Sequence, residues 1–107
     1  DFHIDIMKKI LQYFYLNKKY LKIIFQNNKD GSVTEILREY LASYVLEGIK
    51  DFKTIRPKKE DIISVMVSVY SGAFISVITD WIVNDCIISV EDLAGYISDI
   101  IMQRVFS

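Results

Sequence analysis

Apolar residues recur three and four positions apart along nearly the whole chain, and no segment keeps the two-residue alternation of a half-buried strand. The pattern predicts helices. Phe2, Ile6, Ile10 and Tyr13 run beside Met7, Leu11 and Phe14, with Lys8, Lys9 and Gln12 opposite, which predicts a helix over 2–16. Asn17 is expected to cap a short helix over 18–26, with Leu21, Ile24 and Phe25 inward and Lys18, Lys19 and Lys22 outward. The Asn-Asn-Lys-Asp-Gly run at 27–31 reads as a loop. Ser32 and Glu35 have capping-box spacing and open a third helix, whose apolar face carries Val33, Ile36, Leu37, Tyr40, Leu41, Tyr44, Val45, Gly48, Ile49 and Phe52. Pro57, which disfavours helix at Arg56, separates it from a fourth helix over 58–84. Residues 85–88 turn, and Ser89, with Asp92 three positions on, caps a last helix over 90–106. That helix points Val90, Leu93, Ala94, Ile97, Ile100, Ile101 and Val105 inward.

The fourth helix departs from the rest. From Ile62 to Thr79 there are 18 residues without a charge, apolar almost all round, where a surface helix needs a stripe only slightly wider than 100°. Such a helix must be covered on both sides. It could be the centre of a monomeric bundle, cross a membrane, or pack one flank on its own core and the other on a second copy. Its length just reaches that of a membrane span. Ser64, Ser68, Ser71, Ser76 and Thr79 within it, and amphipathic neighbours that need water, argue against a bilayer. Ser64, Ser68, Gly72 and Ser76, four apart, form a shallow row into which a neighbouring helix can settle. This favours the second copy. The expected fold is all-α: an antiparallel bundle of about five helices, the last two forming a dimeric four-helix bundle.

At 107 residues the chain makes one domain, and 51% hydrophobic content with only 4 Gly and 1 Pro excludes a disordered or linker class. One Cys and one His cannot supply a disulfide framework or a zinc cage. Formal charge is −1, but its halves differ. Residues 1–59 hold 12 basic and 7 acidic side chains (+5), and residues 60–107 hold 1 and 7 (−6), which marks a polarised surface. Asp1 stands in place of a start Met and no basic-then-apolar leader follows, so the chain is expected to be a piece of a longer cytoplasmic protein.

The run from Tyr70 to Asn84 (YSGAFISVITDWIVN) and its continuation Ser89-Val90-Glu91-Asp92-Leu93-Ala94 resemble the C-terminal domain of TetR-family transcriptional regulators. There a Gly-containing apolar helix ends in a Trp-Leu-like turn and Asn-Gly, and a Ser-Pro-Glu-Glu-capped helix follows. Tyr13 to Leu21 resembles the family's helix, Asn break and short helix. Two positions depart from the pattern. Asp85 replaces the Gly, so the left-handed helix end would rest on Asn84 or a strained Asp85; Val90 replaces the Pro at the first helical position.

The resemblance implies a homodimeric regulatory domain, residues 1–107, working with an N-terminal helix-turn-helix outside this chain that binds operator DNA. It also implies a possible small apolar or aromatic effector. The bundle is expected to use Ile63, Val67, Tyr70, Gly72, Phe74, Ile78 and Trp81 with Leu93, Ile97, Ile101 and Val105, the flank being uncertain by one row. Phe14, Tyr40, Tyr44, Met66 and Tyr70 are candidate pocket residues, though an aromatic stripe at helical spacing also fits a plain core. Lys18, Lys19 and Lys22 lack base-reading neighbours and read as a solvated face. No cofactor, metal or catalysis is expected. His3 lies at a ragged terminus, there is no Glu-x-x-His pair or Gly-rich phosphate loop, and Cys86 has only Asp85 beside it. The rival class is a helical adaptor, which predicts a monomer with a partner groove.

Overall fold

The computed structural model describes residues 2–51 and 60–101. Five helices follow in order: α1 (Phe2–Leu16), α2 (Lys18–Gln26), α3 (Ser32–Asp51), α4 (Glu60–Val83) and α5 (Val90–Ile101). No strand occurs among the described residues, so the fold is all-α. Phe52, Pro57 and Val105 lie outside the described residues, as do the side chains of Phe2 and Ile49. With about 1.5 Å of rise per residue, α4 runs roughly 36 Å, close to the 41 Å length of the molecule. The closest backbone pairings join α3 to α4 and α1 to α5, with α2 and α1 also crossing α4.

The helix ends hold in ways the sequence pattern did not anticipate. Asn17 makes no side-chain bond to the start of α2; its amide donates to the Tyr13 carbonyl at 2.8 Å instead. Asn27 does the same for Ile23, and Asn84 for Asp80, both at 2.8 Å. At Ile23 and Asp80 the side chain adds a second bond to a carbonyl that already accepts from the same asparagine's backbone N–H, whereas the Asn17 backbone N–H goes to Phe14. Nor does the Ser32–Glu35 box form. α3 begins one residue earlier than a Ser32 cap requires: the Gly31 carbonyl (φ 76°) accepts from the Glu35 N–H, and the loop side chains do the capping. Asp30 accepts from the Ser32 N–H at 3.0 Å and Asn28 from the Val33 N–H at 3.1 Å, while the Asn28 amide donates to Thr34 Oγ1. The hydrogen bond from Ser32 holds the Asp30 carboxyl below its ordinary value of 3.8. Asn28→Ala should lower stability by about 1 kcal/mol, readable in urea unfolding, because it strips a donor and an acceptor from one helix start.

The core gathers Leu11 and Phe14 from α1, Phe25 from α2, Leu41 from α3, Ile75, Ile78, Trp81 and Ile82 from α4, Cys86, and Val90, Leu93, Ala94 and Ile97 around α5. The wide apolar face expected of α3 is only partly used. Leu41 and Val45 are buried, but Ile36, Tyr40 and Tyr44 stand in solvent because the bundle covers α3 on the other side. Ile100, expected inward, also points out.

Candidate functional site: the outer face of α4

The end of α4 is set by a left-handed turn. Cys86 N–H donates to the Trp81 carbonyl at 2.8 Å and Asp85 N–H to the Ile82 carbonyl at 3.1 Å, with φ of 65° at Asp85 and 52° at Cys86. This is the Schellman pattern, in which a glycine usually takes the position of Asp85. The strain expected at Asp85 is therefore present, and Cys86 shares it. Two contacts hold the turn. Lys22 of α2 pairs with Asp85 at 2.6 Å, and the Trp81 ring N–H donates to the Ile88 carbonyl at 2.7 Å. Ser89 then caps α5 as expected, accepting from the Asp92 N–H at 3.0 Å.

The turn fixes which side of α4 meets the core. Ile78, Trp81 and Ile82 point in, together with Ile75 and the fully enclosed Ser71, whose hydroxyl donates to the Val67 carbonyl. The opposite side carries Ile62, Val65, Val69, Ala73, Ser76, Val77 and Asp80, all exposed. Val65 is 61% and Val69 59% exposed, values suited to a lysine rather than a valine. The most apolar 18-residue window of this helix has a mean hydropathy of 2.0, yet only 17% of its residues are buried within the chain. By length and composition this is a helix that could cross a membrane. On its flank, however, Arg38 of α3 donates to Ser68 Oγ at 2.9 Å, midway along that stretch. A guanidinium at that depth is costly in a bilayer.

Of the residues singled out from sequence, Ile78, Trp81, Leu93 and Ile97 lie in the chain's own core, while Ile63, Val67, Gly72, Phe74 and Ile101 are half-buried. The exposed row is the one next to them, with Tyr96 and Ile100 outermost on α5. Part of the small-residue row faces inward to α3: Arg38 bonds Ser68, and its Nε lies 3.8 Å from where a Cβ on Gly72 would sit. A signal for the outer row was available, since 62, 65, 69, 72 and 76 keep a three-four repeat.

The aromatic candidates spread over different surroundings. Phe14 is in the core, Met66 and Tyr70 are half-buried, and Tyr40 and Tyr44 are outside, ring centres 5.2 Å apart and hydroxyls 3.0 Å apart. Sharing a hydrogen bond with Tyr44 raises the Tyr40 ionisation above its ordinary 10.0. The folded state thus keeps that proton longer, so its contribution to stability is present below the ordinary value and fades as pH climbs past it. An ultraviolet titration should show one tyrosine ionising late, and Tyr44→Phe should abolish the lag.

A cleft of about 370 Å³ opens elsewhere, lined by Gln12, Tyr15, Cys86, Ile87, Ser89, Val90 and Glu91. Lys18 stacks over the Tyr15 ring at 4.0 Å, and burial raises the Cys86 thiol above its ordinary 9.0, which disfavours the reactive thiolate. No cluster of three metal-ligating side chains occurs among the described residues.

Among the described residues the chemistry-bearing groups are dispersed, and one long apolar face of α4 is left open. The chain matches, over residues 3–103, the family model of the TetR-type transcriptional regulator C-terminal region. It belongs to that family, and is a domain of a transcriptional regulator. No curated protein and no solved structure matches it.

Proposed function

We propose that this domain dimerises a DNA-binding regulator, α4 and α5 of each copy meeting through their outer rows as a four-helix bundle. The observation that carries the reading is α4, where only 17% of the residues in its most apolar stretch are buried within the chain and Val65 and Val69 stand mostly exposed. Ile62, Val65, Val69 and Val77, with Tyr96 and Ile100 of α5, leave on the order of 600 Å² of apolar surface in water, against roughly 800 Å² per partner in a standard interface. A second copy supplies the missing cover and makes a self-complementary contact about a two-fold axis. The interface expected at Ile63, Val67, Gly72, Phe74 and Ile101 moves outward by one row, and these half-buried residues become its inner edge.

In this reading the helix-turn-helix lies outside the present chain, and the dimer holds two such heads at the roughly 34 Å spacing of operator half-sites. The protein works in the cytoplasm, where its operator is. A small apolar or aromatic effector, entering among Phe14, Met66 and Tyr70, would change DNA affinity only as far as it binds one head spacing better than the other. Light scattering tests the core of the proposal: at tens of micromolar the mass should be twice the 12.5 kDa of the chain. A monomer would favour the adaptor.

A further inference from the structure

α2 is lightly anchored. Its nine residues are too few to hold as a helix alone in water, where roughly 12–15 are needed even for good helix formers. Phe25 is its one buried side chain and Leu21 packs half-buried against the core, while Tyr20, Ile23 and Ile24 stand exposed. Its start has no side-chain cap. Two of its polar contacts are local: Lys18 stacks on Tyr15 just before it, and the Asn27 amide returns to Ile23. A third reaches across the fold. Lys22 Nζ donates to Asp85 Oδ1 at 2.6 Å, 63 residues further along the chain.

Asp85 makes that contact from a strained setting. It has φ of 65° where the helix-ending turn favours glycine, and Cys86 after it has φ of 52°. A glycine would relax the backbone but could not reach α2. The turn has support of its own, from the backbone bonds to the Trp81 and Ile82 carbonyls and from the Trp81–Ile88 bond. What the carboxylate adds is therefore the tie to α2. The pair is open to solvent, with side-chain exposure of 34% at Lys22 and 71% at Asp85, so dissolved ions can screen it. Pairs this exposed shift an equilibrium by about two- to fivefold. Such a factor counts for a helix that rests on one buried ring.

We propose that Lys22 and Asp85 form a salt-sensitive clasp that keeps α2 closed as a strap over the core. When they part, α2 opens as a unit and draws Phe25 out, while α4, the turn and α5 stay folded. The clasp works within a single chain, whether or not two copies pair. Hydrogen exchange of the intact chain, read amide by amide by NMR, tests it, with the α4 amides as the measure of global opening. Raising NaCl from low concentration to about 1 M should increase opening at the α2 amides about two- to fivefold relative to α4. Asp85→Asn keeps a side chain that tolerates the left-handed turn. It should raise α2 opening by the same factor in low salt and remove the salt response. Lys22→Met should do the same, and the double variant should add nothing further. Asp85→Gly should free α2 as well, although it relaxes the turn. The clasp is overturned if the α2 amides exchange only with global unfolding, or if Asp85→Asn leaves them unchanged. It is overturned too if Asp85→Asn speeds the α5 amides as much as those of α2, which would make Asp85 a support of the turn alone.

Discussion

Replacing Trp81 by alanine should cost this domain about 3–5 kcal/mol, the range for deleting a buried aromatic ring. Stabilities of small domains run from about 5 to 15 kcal/mol, so the variant should sit near or past its unfolding midpoint at room temperature. The size of the effect follows from where the ring lies. Trp81 is buried in the common core, stacks at a tilt on Tyr15 of α1 with centres 6.2 Å apart, and ties the α4–α5 turn through Ile88. One side chain therefore joins three segments. Trp81→Phe separates the two contributions: it keeps most of the packing and loses the N–H bond, for about 1 kcal/mol. Urea unfolding followed by circular dichroism reads both, at fixed protein concentration because association adds to apparent stability. Equal losses in the two variants would mean that the hydrogen bond, and not the ring, holds the turn.

The second large effect concerns association and leaves the fold alone. Val69→Glu places a carboxylate at the middle of the exposed strip. In the single chain Val69 is 59% exposed, so folding should change by no more than about 0.5 kcal/mol. In the proposed dimer each copy would bring such a carboxylate into a desolvated seam. That costs about 3 kcal/mol, or roughly a hundredfold in dimer affinity. Light scattering should therefore show a helical monomer with an ordinary melt. A variant that stays dimeric at micromolar concentration would move the interface away from α4.

The sequence made the helices legible because each carries its own periodicity. The bounds of α1 and α2 follow from the break at Asn17 and the loop at 27–31, and the end of α4 from the Trp81–Asn84 run. Capping was less legible. Ser32 and Asn17 are good capping residues by type, but the competing groups, Asn28 and Asp30 at one end and the Tyr13 carbonyl at the other, are set by loop geometry that spacing does not encode. The site was legible as an excess of apolar surface on α4 and not as a side. Periodicity shows that Ile62, Val69 and Ser76 share a face, as do Ile75, Ile78 and Ile82. Which face goes inward depends on where α1, α2 and α3 arrive, a long-range matter. The same limit explains Tyr40 and Tyr44, whose apolar row is continuous with Leu41 and Val45 by spacing but falls outside the cover the bundle provides.

The turn after α4 bears on kinetics as well as geometry. Its two left-handed residues, the indole bond to Ile88 and the Lys22–Asp85 pair all form within one chain, so the angle between α4 and α5 is settled before any mate arrives. In the proposed dimer, docking would then require little ordering of backbone, and rigid surfaces of this kind meet at encounter rates of about 10⁵–10⁷ M⁻¹s⁻¹. Freshly synthesised protomers would find one another as finished parts, with subunit exchange governed by how fast the seam opens.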